Sequence, residues 1–428
     1  MNDRRGVLIN NIFLIVLLLF LWLPNSYSYI LSGSIYAMVR WAQYLAAVIA
    51  ALMVVISRKC NKVYVLNVIL SMVLLLSTVM HQGNINKCLN YVTPMLGTVS
   101  LIVYYIGIGR EKELLRVMRY ILTGYIVINI ATYFLYPQGL YLSEFVTRLD
   151  NKPNTFFGNR NAYKFYGLFL IVVSYLEGSL DGIKRVADGK MLIAVFLALT
   201  MEFLGESLTG LIMISFTAIY YFFGDRMLKI RKINPKVFFF ATVGICAFLV
   251  MVISVGRYMV ISVGKYTVFS MSKYIDFLSF IFKGNTTFSN RIKIWSAAKD
   301  QILANPVLGV GTLSAANEYK RIAAVHAHNQ FLEIALRGGI IALTLYVWII
   351  WIAFKKLASY RSYETVTFMS ICIFVAMIMN MVECETFSYA ILSYFTAMSY
   401  CWAYPPEFLE DKIRKRKRIV LRFSRNKI

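Results

Sequence analysis

Residues 63–80 read VYVLNVILSMVLLLSTVM, an apolar run of eighteen residues without a charged side chain. A bilayer core is crossed by a helix of roughly 20 predominantly apolar residues, so this run predicts a transmembrane span. Arg58, Lys59 and Lys62 precede the run, whereas the neutral sequence HQGN follows it. Because cytoplasmic loops are enriched in Lys and Arg, the basic end is predicted to face the cytoplasm.

The same pattern recurs along the whole chain. Of its 428 residues, 59% are hydrophobic and 15% are charged, with a mean hydropathy of +0.63. A soluble protein is roughly a quarter charged. The sequence therefore predicts an all-α polytopic membrane protein with about twelve transmembrane helices, at 7–23, 35–56, 63–80, 91–108, 115–137, 162–177, 190–204, 208–223, 236–256, 329–354, 365–382 and 387–404.

Charge assigns an orientation to these spans. Most of the 45 Lys and Arg residues fall in alternate connecting segments, as the positive-inside rule requires. Both termini are therefore expected in the cytoplasm. We treat 1–428 as one integral membrane domain, with a large extracytoplasmic loop at 257–328 that contains short helices and a basic cytoplasmic tail at 405–428. Anionic membrane lipid, rather than nucleic acid, is the expected partner of that tail.

The sequence lacks the motifs of several functional classes. The chain has no Walker loop, no dinucleotide fingerprint and no HExxH sequence, so an ATP-driven pump or a zinc hydrolase has no visible machinery. Its six cysteines show no metal-ligand spacing. Neither a cofactor nor a metal is therefore expected.

Some charged residues lie within predicted spans, where they are costly and usually face a pocket or a partner. Arg40 and Glu202 lie on different spans at the same predicted level near the outer surface, so they could pair. Lys164 and Glu206 lie at span ends, and snorkelling to the headgroups is the expected behaviour for both.

Most of the Lys and Arg residues outside the predicted cytoplasmic segments lie in two predicted extracytoplasmic segments, 138–164 and 257–337. Such a surface suits an anionic partner, either lipid phosphate or a phosphate-bearing substrate. Residues 289–311 read SNRIKIWSAAKDQILANPVLGVG and predict a helix with an apolar stripe, stopped at Asn305-Pro306 and followed by a turn at Gly309–Gly311.

Residues 325–345 read VHAHNQFLEIALRGGIIALTL and place two of the three histidines directly before a span. A zinc site is one interpretation of the two histidines, His326 and His328, together with Glu333. The H-x-H spacing does not suit a helix face, however, and no Cys or Asp accompanies it, so zinc is not expected here. A histidine near arginines at the mouth of a membrane pocket is a better candidate for proton transfer, since its pKa is ordinarily close to neutrality.

The run NRIKIW…NPVLGVG…AHNQFLEIALRGGI resembles the signature region of the O-antigen polymerase and O-antigen ligase family, matching at Arg291, Trp295, Pro306, Gly309, Gly311, His328 and Asn329. FFGNRNAYKFYGL resembles a further family segment at Asn161. ESLTGLIM resembles the family's Ser-Arg-Thr segment but has Leu208 where an Arg is common, which leaves Arg160 or Arg40 to supply a charge for substrate phosphate.

The resemblance implies a membrane glycosyltransferase that polymerises oligosaccharide repeat units at the outer face of the bacterial inner membrane. The donor would be linked to polyprenyl diphosphate and the acceptor would be a sugar hydroxyl of another unit. A chain-length regulator protein is a further implied partner. The expected catalytic residues are His328, Arg291 and Glu333, and the expected substrate-binding residues are Arg160, Asn161, Arg40, Glu202, His326, Asn329 and Arg337.

Three alternatives stay open. An O-antigen ligase would use the same donor with a lipid A-core acceptor. A lipid-linked oligosaccharide flippase or another transporter also commonly has about twelve spans, although transporters favour midplane charges and short loops. A non-catalytic scaffold is the third.

Overall fold

The computed structural model describes residues 2–141, 154–158, 163–181, 188–227, 233–255, 260–263, 266–270, 287–360, 363–384 and 386–401. Arg160, Asn161, the tail at 405–428 and parts of the predicted loop at 257–328 lie outside these residues. The predictions made for them stay predictions.

The described chain is helical apart from one short hairpin, which confirms the all-α fold class. A helix coincides with each of the twelve predicted spans. The long helices are α1 (Asn2–Leu21), α3 (Gly33–Ile56), α4 (Lys62–Met80), α5 (Ile85–Gly107), α6 (Glu111–Leu135), α7 (Tyr163–Leu180), α8 (Gly189–Leu204), α9 (Leu208–Met227), α10 (Pro235–Val255), α13 (Gln330–Ala358), α14 (Glu364–Val382) and α15 (Thr386–Cys401).

Within the described residues, six of these helices, α3, α4, α5, α6, α13 and α14, are long and apolar enough to cross a membrane by length and composition. Shorter apolar helical segments lie at Asn10–Leu21, Leu208–Gly224 and Pro235–Ala247. The helices therefore mark a membrane protein.

Shorter elements complete the chain: α2 (Tyr27–Ile30), an antiparallel hairpin of β1 (Val260–Val263) and β2 (Tyr266–Ser270), α11 (Thr287–Ala304) and α12 (Ala315–Ile322). Helix α11 confirms the helix predicted from residue 289, although it begins at Thr287. Its apolar stripe is also confirmed, since Trp295 and Ala298 are buried and Ile294 and Ile302 pack beside them. The hairpin was not predicted.

Helix α5 packs against α3, α4 and α15. Close approach is possible because small residues lie at the contacts: a Cβ on Gly97 would come within 2.4 Å of Leu21 Cδ2. Polar side chains inside the bundle bond locally, as when Ser100 Oγ donates to the Leu96 carbonyl. Both features are typical of helix packing in lipid, where backbones pack closely and polar groups need internal partners.

Helix α13 is interrupted at Gly339, whose φ of 64° and ψ of −163° are not helical. The predicted turn at Gly309–Gly311 is confirmed and lies against this break: the Val310 N–H donates to the Leu336 carbonyl at 2.7 Å, and the Ile340 N–H donates to the Pro306 carbonyl at 2.8 Å. Backbone groups that the break frees from the helix are thus hydrogen-bonded by the loop, as irregular backbone inside a helical membrane protein requires. The break was not predicted.

Candidate functional site

The segment 323–329, here called the His328 loop, leads into α13. Asn329 ends it by capping the helix: its side-chain oxygen accepts from the backbone N–H of Phe331 at 3.0 Å and of Leu332 at 3.1 Å. An Asn cap satisfies donors that the first helical turn leaves free. His328, immediately before the cap, has a φ of 48°, a left-handed conformation that is uncommon outside glycine. Asn329 was expected to bind substrate, and in the structure its side-chain oxygen serves the helix.

His328 lies in a triad with Arg291 and Glu383. The His328 Nδ1–H donates to Glu383 Oε1 at 2.9 Å, and Arg291 Nη2 donates to Glu383 Oε2 at 3.2 Å. A second nitrogen of Arg291 donates to the Val382 carbonyl. The side chains of His328 and Arg291 are 25% and 20% exposed, whereas Glu383 is fully buried. The carboxylate therefore lies behind two cationic or basic groups that face outward.

Glu383 is the residue that sequence reasoning missed. It follows the last residue of α14, in the short connection between two apolar helices. Burial would raise its pKa, but His328, Arg291 and Lys164 outweigh that effect and hold the pKa well below the usual range. Glu383 is therefore a carboxylate. The sequence did offer a signal for Glu383: it is an acidic residue in a short loop that the predicted topology places on the same side of the membrane as His328.

His326 lies beside the triad. Its Nδ1 accepts from the His328 backbone N–H at 3.3 Å and lies 3.3 Å from Cys384 Sγ. Burial, together with the neighbouring His328, lowers the pKa of His326 to about 3. His326 is thus a neutral ring that supports the loop, with Nδ1 already in use.

The ligand atoms of His326, His328 and Glu383 lie within 4.8 Å of one another, close enough to be considered for a metal. The surroundings favour an anion instead. The Arg291 guanidinium already bonds to Glu383 Oε2, and it places a positive charge beside the carboxylate that a metal ion would need as a ligand. Arg291 has five N–H donors, and its bonds to Glu383 and Val382 leave others for a phosphate oxygen.

A second cluster holds the His328 loop from behind. Glu333 Oε2 accepts from the Ala327 N–H at 2.7 Å, and its other oxygen pairs with Arg337. Arg337 also lies 3.6 Å from Glu318, which pairs with Lys87. Glu333 and Arg337 are buried, so the structure gives these two predicted site residues a supporting position rather than a surface that substrate would touch.

Trp295 connects α11 to the same loop. Its indole Nε1–H donates to the Ala327 carbonyl at 2.9 Å, and the ring is buried. Ala327 is thus held on both sides, by Trp295 at its carbonyl and by Glu333 at its N–H. Because Arg291 lies one turn before Trp295, this anchor also sets the distance between Arg291 and His328.

Lys164 does not snorkel as expected; it is buried. It interacts electrostatically with Glu202 and with Glu383. Glu202 is also buried and lies against α9, where a Cβ on Gly210 would collide with its Oε2. Among the described ion pairs, none joins Arg40 to Glu202; Arg40 bonds instead to Gln43 on its own helix.

Arg40 lines a recess of about 170 Å³, here called the Arg40 recess, formed by side chains of α1, α3, α5, α7 and α15 and the segment after α1. The recess lies at the same end of the bundle as the triad. Tyr91 in its wall stacks under the Arg337 guanidinium at 4.1 Å, and Arg337 in turn supports the His328 loop through Glu333.

Fold and site together define a helical membrane protein with a histidine–carboxylate pair, His328 and Glu383, at one end of the bundle. Beside this pair, Arg291 has N–H donors beyond those that bond to Glu383 and Val382. Residues 193–347 match a family model described as O-Antigen ligase. This confirms the resemblance to the O-antigen ligase and polymerase family. The match contains Arg291, Trp295 and the His328 loop, and it ends before Glu383. Comparison with curated proteins found no significant match. The flippase alternative finds no support in the family match.

Proposed function

We propose that the chain is a polymerase of lipid-linked oligosaccharide repeat units. It would transfer a glycan from polyprenyl diphosphate to a sugar hydroxyl of another unit at the outer face of the bacterial inner membrane. The observation that carries the proposal is the triad: a histidine with its Nδ1 fixed by a buried carboxylate, beside an arginine with donors to spare. The family match supports O-antigen polymerase or ligase activity in general.

The bond to Glu383 determines how His328 works. With its Nδ1–H donating to Glu383, the neutral ring carries its lone pair on Nε2, which is the nitrogen available to a substrate. Nε2 accepts the proton of the acceptor hydroxyl while the hydroxyl oxygen forms a bond to the anomeric carbon of the donor. Glu383 stabilises the imidazolium that results, in the manner of a carboxylate–histidine pair.

The leaving group needs positive charge rather than a proton. As the anomeric C–O bond breaks, its electron pair goes to the diphosphate, and Arg291 would bind that developing charge through its planar, bidentate fork. Lys164 adds positive potential near Glu383. Within this proposal the twelve helices all cross the membrane, both termini face the cytoplasm, and a chain-length regulator acts as a partner.

The ligase is the second candidate, because the matching family model carries that description. The chemistry of the triad would be the same, and only the acceptor would differ. A deletion strain that accumulates single repeat units on lipid A-core indicates a polymerase. A strain with polymer on polyprenyl carrier but none on lipid A-core indicates a ligase.

Glycan ladders test the catalytic assignment. His328→Ala should reduce polymer to single repeat units at unchanged protein level, since general base catalysis contributes about 10²–10⁴-fold. His326→Ala should be milder, because His326 supports the loop without a free Nδ1. A normal ladder from His328→Ala would contradict the assignment of His328 as the base. Loss of polymer in His326→Ala alone would assign the base to His326 instead.

A further inference from the structure

The Arg40 recess is a built cavity that the triad does not use. Its lining combines one cation with aromatic rings and amide side chains, among them Tyr36, Gln43, Asn90 and Tyr91. Aromatic rings with polar tips and amides are the groups that contact sugars, since they offer an apolar face and hydrogen bonds together. The lining is therefore polar enough to bind a hydrophilic headgroup inside a helical bundle.

Arg40 is the charge in this recess that lacks a counter-ion among the described residues. Its Nη1 donates to Gln43 Oε1, and its guanidinium lies 5.4 Å from the Tyr36 ring centroid. Lys87, the other cation in the lining, is paired with the buried Glu318. A guanidinium within a membrane helix is costly and marks a binding site or a pairing partner. An anionic ligand would supply the missing charge.

Gln43 fixes Arg40 toward the cavity. The Gln43 Nε2 donates to the Leu21 carbonyl at 3.2 Å, so its oxygen is left facing Arg40. Gln43 itself is buried. The arginine is thus held by a neighbour one turn along α3, and its remaining donors are preorganised for a ligand, which lowers the entropy lost on binding.

The recess and the triad are separate sites with a common wall. Tyr91 belongs to the recess, and the Arg337 that stacks on it supports the His328 loop. Two anion-binding places at one end of the bundle suit a reaction whose two substrates both carry diphosphate.

We infer that the Arg40 recess binds the diphosphate–sugar headgroup of a second lipid-linked glycan, the acceptor, while Arg291 binds the donor. This inference rests on the proposed function for the identity of the two substrates. The recess positions the acceptor and takes no part in bond formation. Its selectivity would come from phosphate at Arg40 and from sugar at the amides and rings.

Native mass spectrometry of the detergent-solubilised full chain with a polyprenyl-diphosphate-linked sugar tests the inference by counting bound lipids. The wild type should bind two. Arg40→Gln and Arg291→Gln should each bind one, with affinity for the lost site reduced about tenfold or more, the scale of a charge-assisted contact. Arg58→Gln, which changes a cation just beyond the opposite end of α3, is the matched control and should bind two.

Asn90→Asp is a second variant, which puts a carboxylate in the recess and leaves Arg40 in place. It should also bind one lipid, and it keeps the test open if Arg40→Gln fails to fold. Two lipids bound to both recess variants would overturn the inference, as would one lipid on the wild type. Phosphatidylglycerol that displaces the recess lipid at equal concentration would also overturn it, since the site would then recognise any phospholipid headgroup.

The same measurement separates this inference from the proposed function. His328→Gln should be inactive and still bind two lipids. If His328→Gln polymerised normally, the catalytic proposal would fail. If Arg40→Gln nevertheless bound one lipid fewer than the wild type, the Arg40 recess would still be a binding site for a diphosphate–sugar headgroup.

Discussion

At the scale of single residues, the site depends on how one buried carboxylate is shared. Glu383 binds His328 with one oxygen and Arg291 with the other, so the proposed base and the proposed phosphate-binding group are held by the same side chain. Any change at Glu383 therefore affects two functions together. Changes at Arg291 or His328 affect one each.

Arg291 should be intolerant of lysine. Arg291→Lys keeps the charge but loses the planar fork that reaches Glu383 and leaves donors for phosphate, so polymer yield should fall about tenfold or more. Arg291→Ala should abolish long polymer. Lys293→Ala, an exposed cation on the same helix, is the control and should leave the ladder unchanged. Full activity of Arg291→Lys would show that general electrostatic attraction suffices.

Glu383 should stabilise the fold only while it is ionised. Its pKa in the folded protein lies well below the usual 4.5 of a glutamate, because His328 and Arg291 outweigh the effect of burial. The folded state thus binds this proton less readily than the unfolded state, so the contribution to stability is present above pH 4.5 and is lost as pH falls below it. Glu383→Gln should cost about 3 kcal/mol near neutrality, the scale of a broken buried pair.

Thermal unfolding in detergent across pH checks this. The difference in free energy of unfolding between wild type and Glu383→Gln should be constant from pH 8 to about 5 and shrink at lower pH. A difference that shrinks between pH 8 and 6 would mean that another group, and not Glu383, carries the pH dependence.

At the scale of elements, the turn between α11 and α12 positions the site because it inserts between two long helices. Gly311 has a φ of 72°, and a Cβ there would lie 2.8 Å from the Thr78 Cα of α4. Ser77 of α4 also donates to the Arg337 carbonyl at 2.7 Å, beside the break in α13. Helices α4 and α13 thus bond to each other directly, and the turn packs against both.

Gly311→Ala should therefore destabilise the protein more than positive φ alone explains. Gly109 is the matched control, since its φ of 74° is nearly the same but no atom lies within 4 Å of an added Cβ. Gly109→Ala should cost about 1 kcal/mol from backbone strain. Gly311→Ala should cost more and shorten the glycan ladder. Equal unfolding midpoints for the two variants would show that the turn does not need its close approach to α4.

The sequence predicted the elements well where one signal dominates. Apolar runs located a helix at each of the twelve expected places, and Asn305-Pro306 with Gly309 and Gly311 located the turn. It missed the break at Gly339, because Gly338-Gly339 inside an apolar run is also compatible with a continuous span. The expectation that Lys164 snorkels was wrong, since Lys164 is buried. Periodicity also does not reveal that Glu333 contacts Arg337 and the Ala327 N–H.

At the scale of the whole molecule, the triad brings together parts distant in the chain. Arg291 comes from α11, His328 from the loop before α13, and Glu383 from the end of α14. Such pairings depend on the tertiary packing of helices and are not encoded in local spacing, which is why Glu383 was missed. The Arg40 recess likewise draws its lining from six helices, α1, α2, α3, α5, α7 and α15.

The proposed orientation predicts which single-cysteine variants react from outside the cell. Lys293 of α11 and Lys320 of α12 should be reactive in intact cells when replaced by cysteine, because both are exposed on the helices of the predicted outer loop. Arg58, beyond the opposite end of α3, should react only after permeabilisation. The reverse pattern would place the triad in the cytoplasm, where a lipid-linked glycan in the outer leaflet does not reach it.

The most direct test of the central claim is polymerisation by purified protein given only a polyprenyl-diphosphate-linked repeat unit. Wild type and His81→Gln, the third histidine, which bonds to the Ser77 carbonyl within α4, should both produce a ladder. His328→Gln, which keeps a hydrogen-bonding side chain but no base, should produce single units while binding the lipid normally. A full ladder from purified His328→Gln would contradict the account.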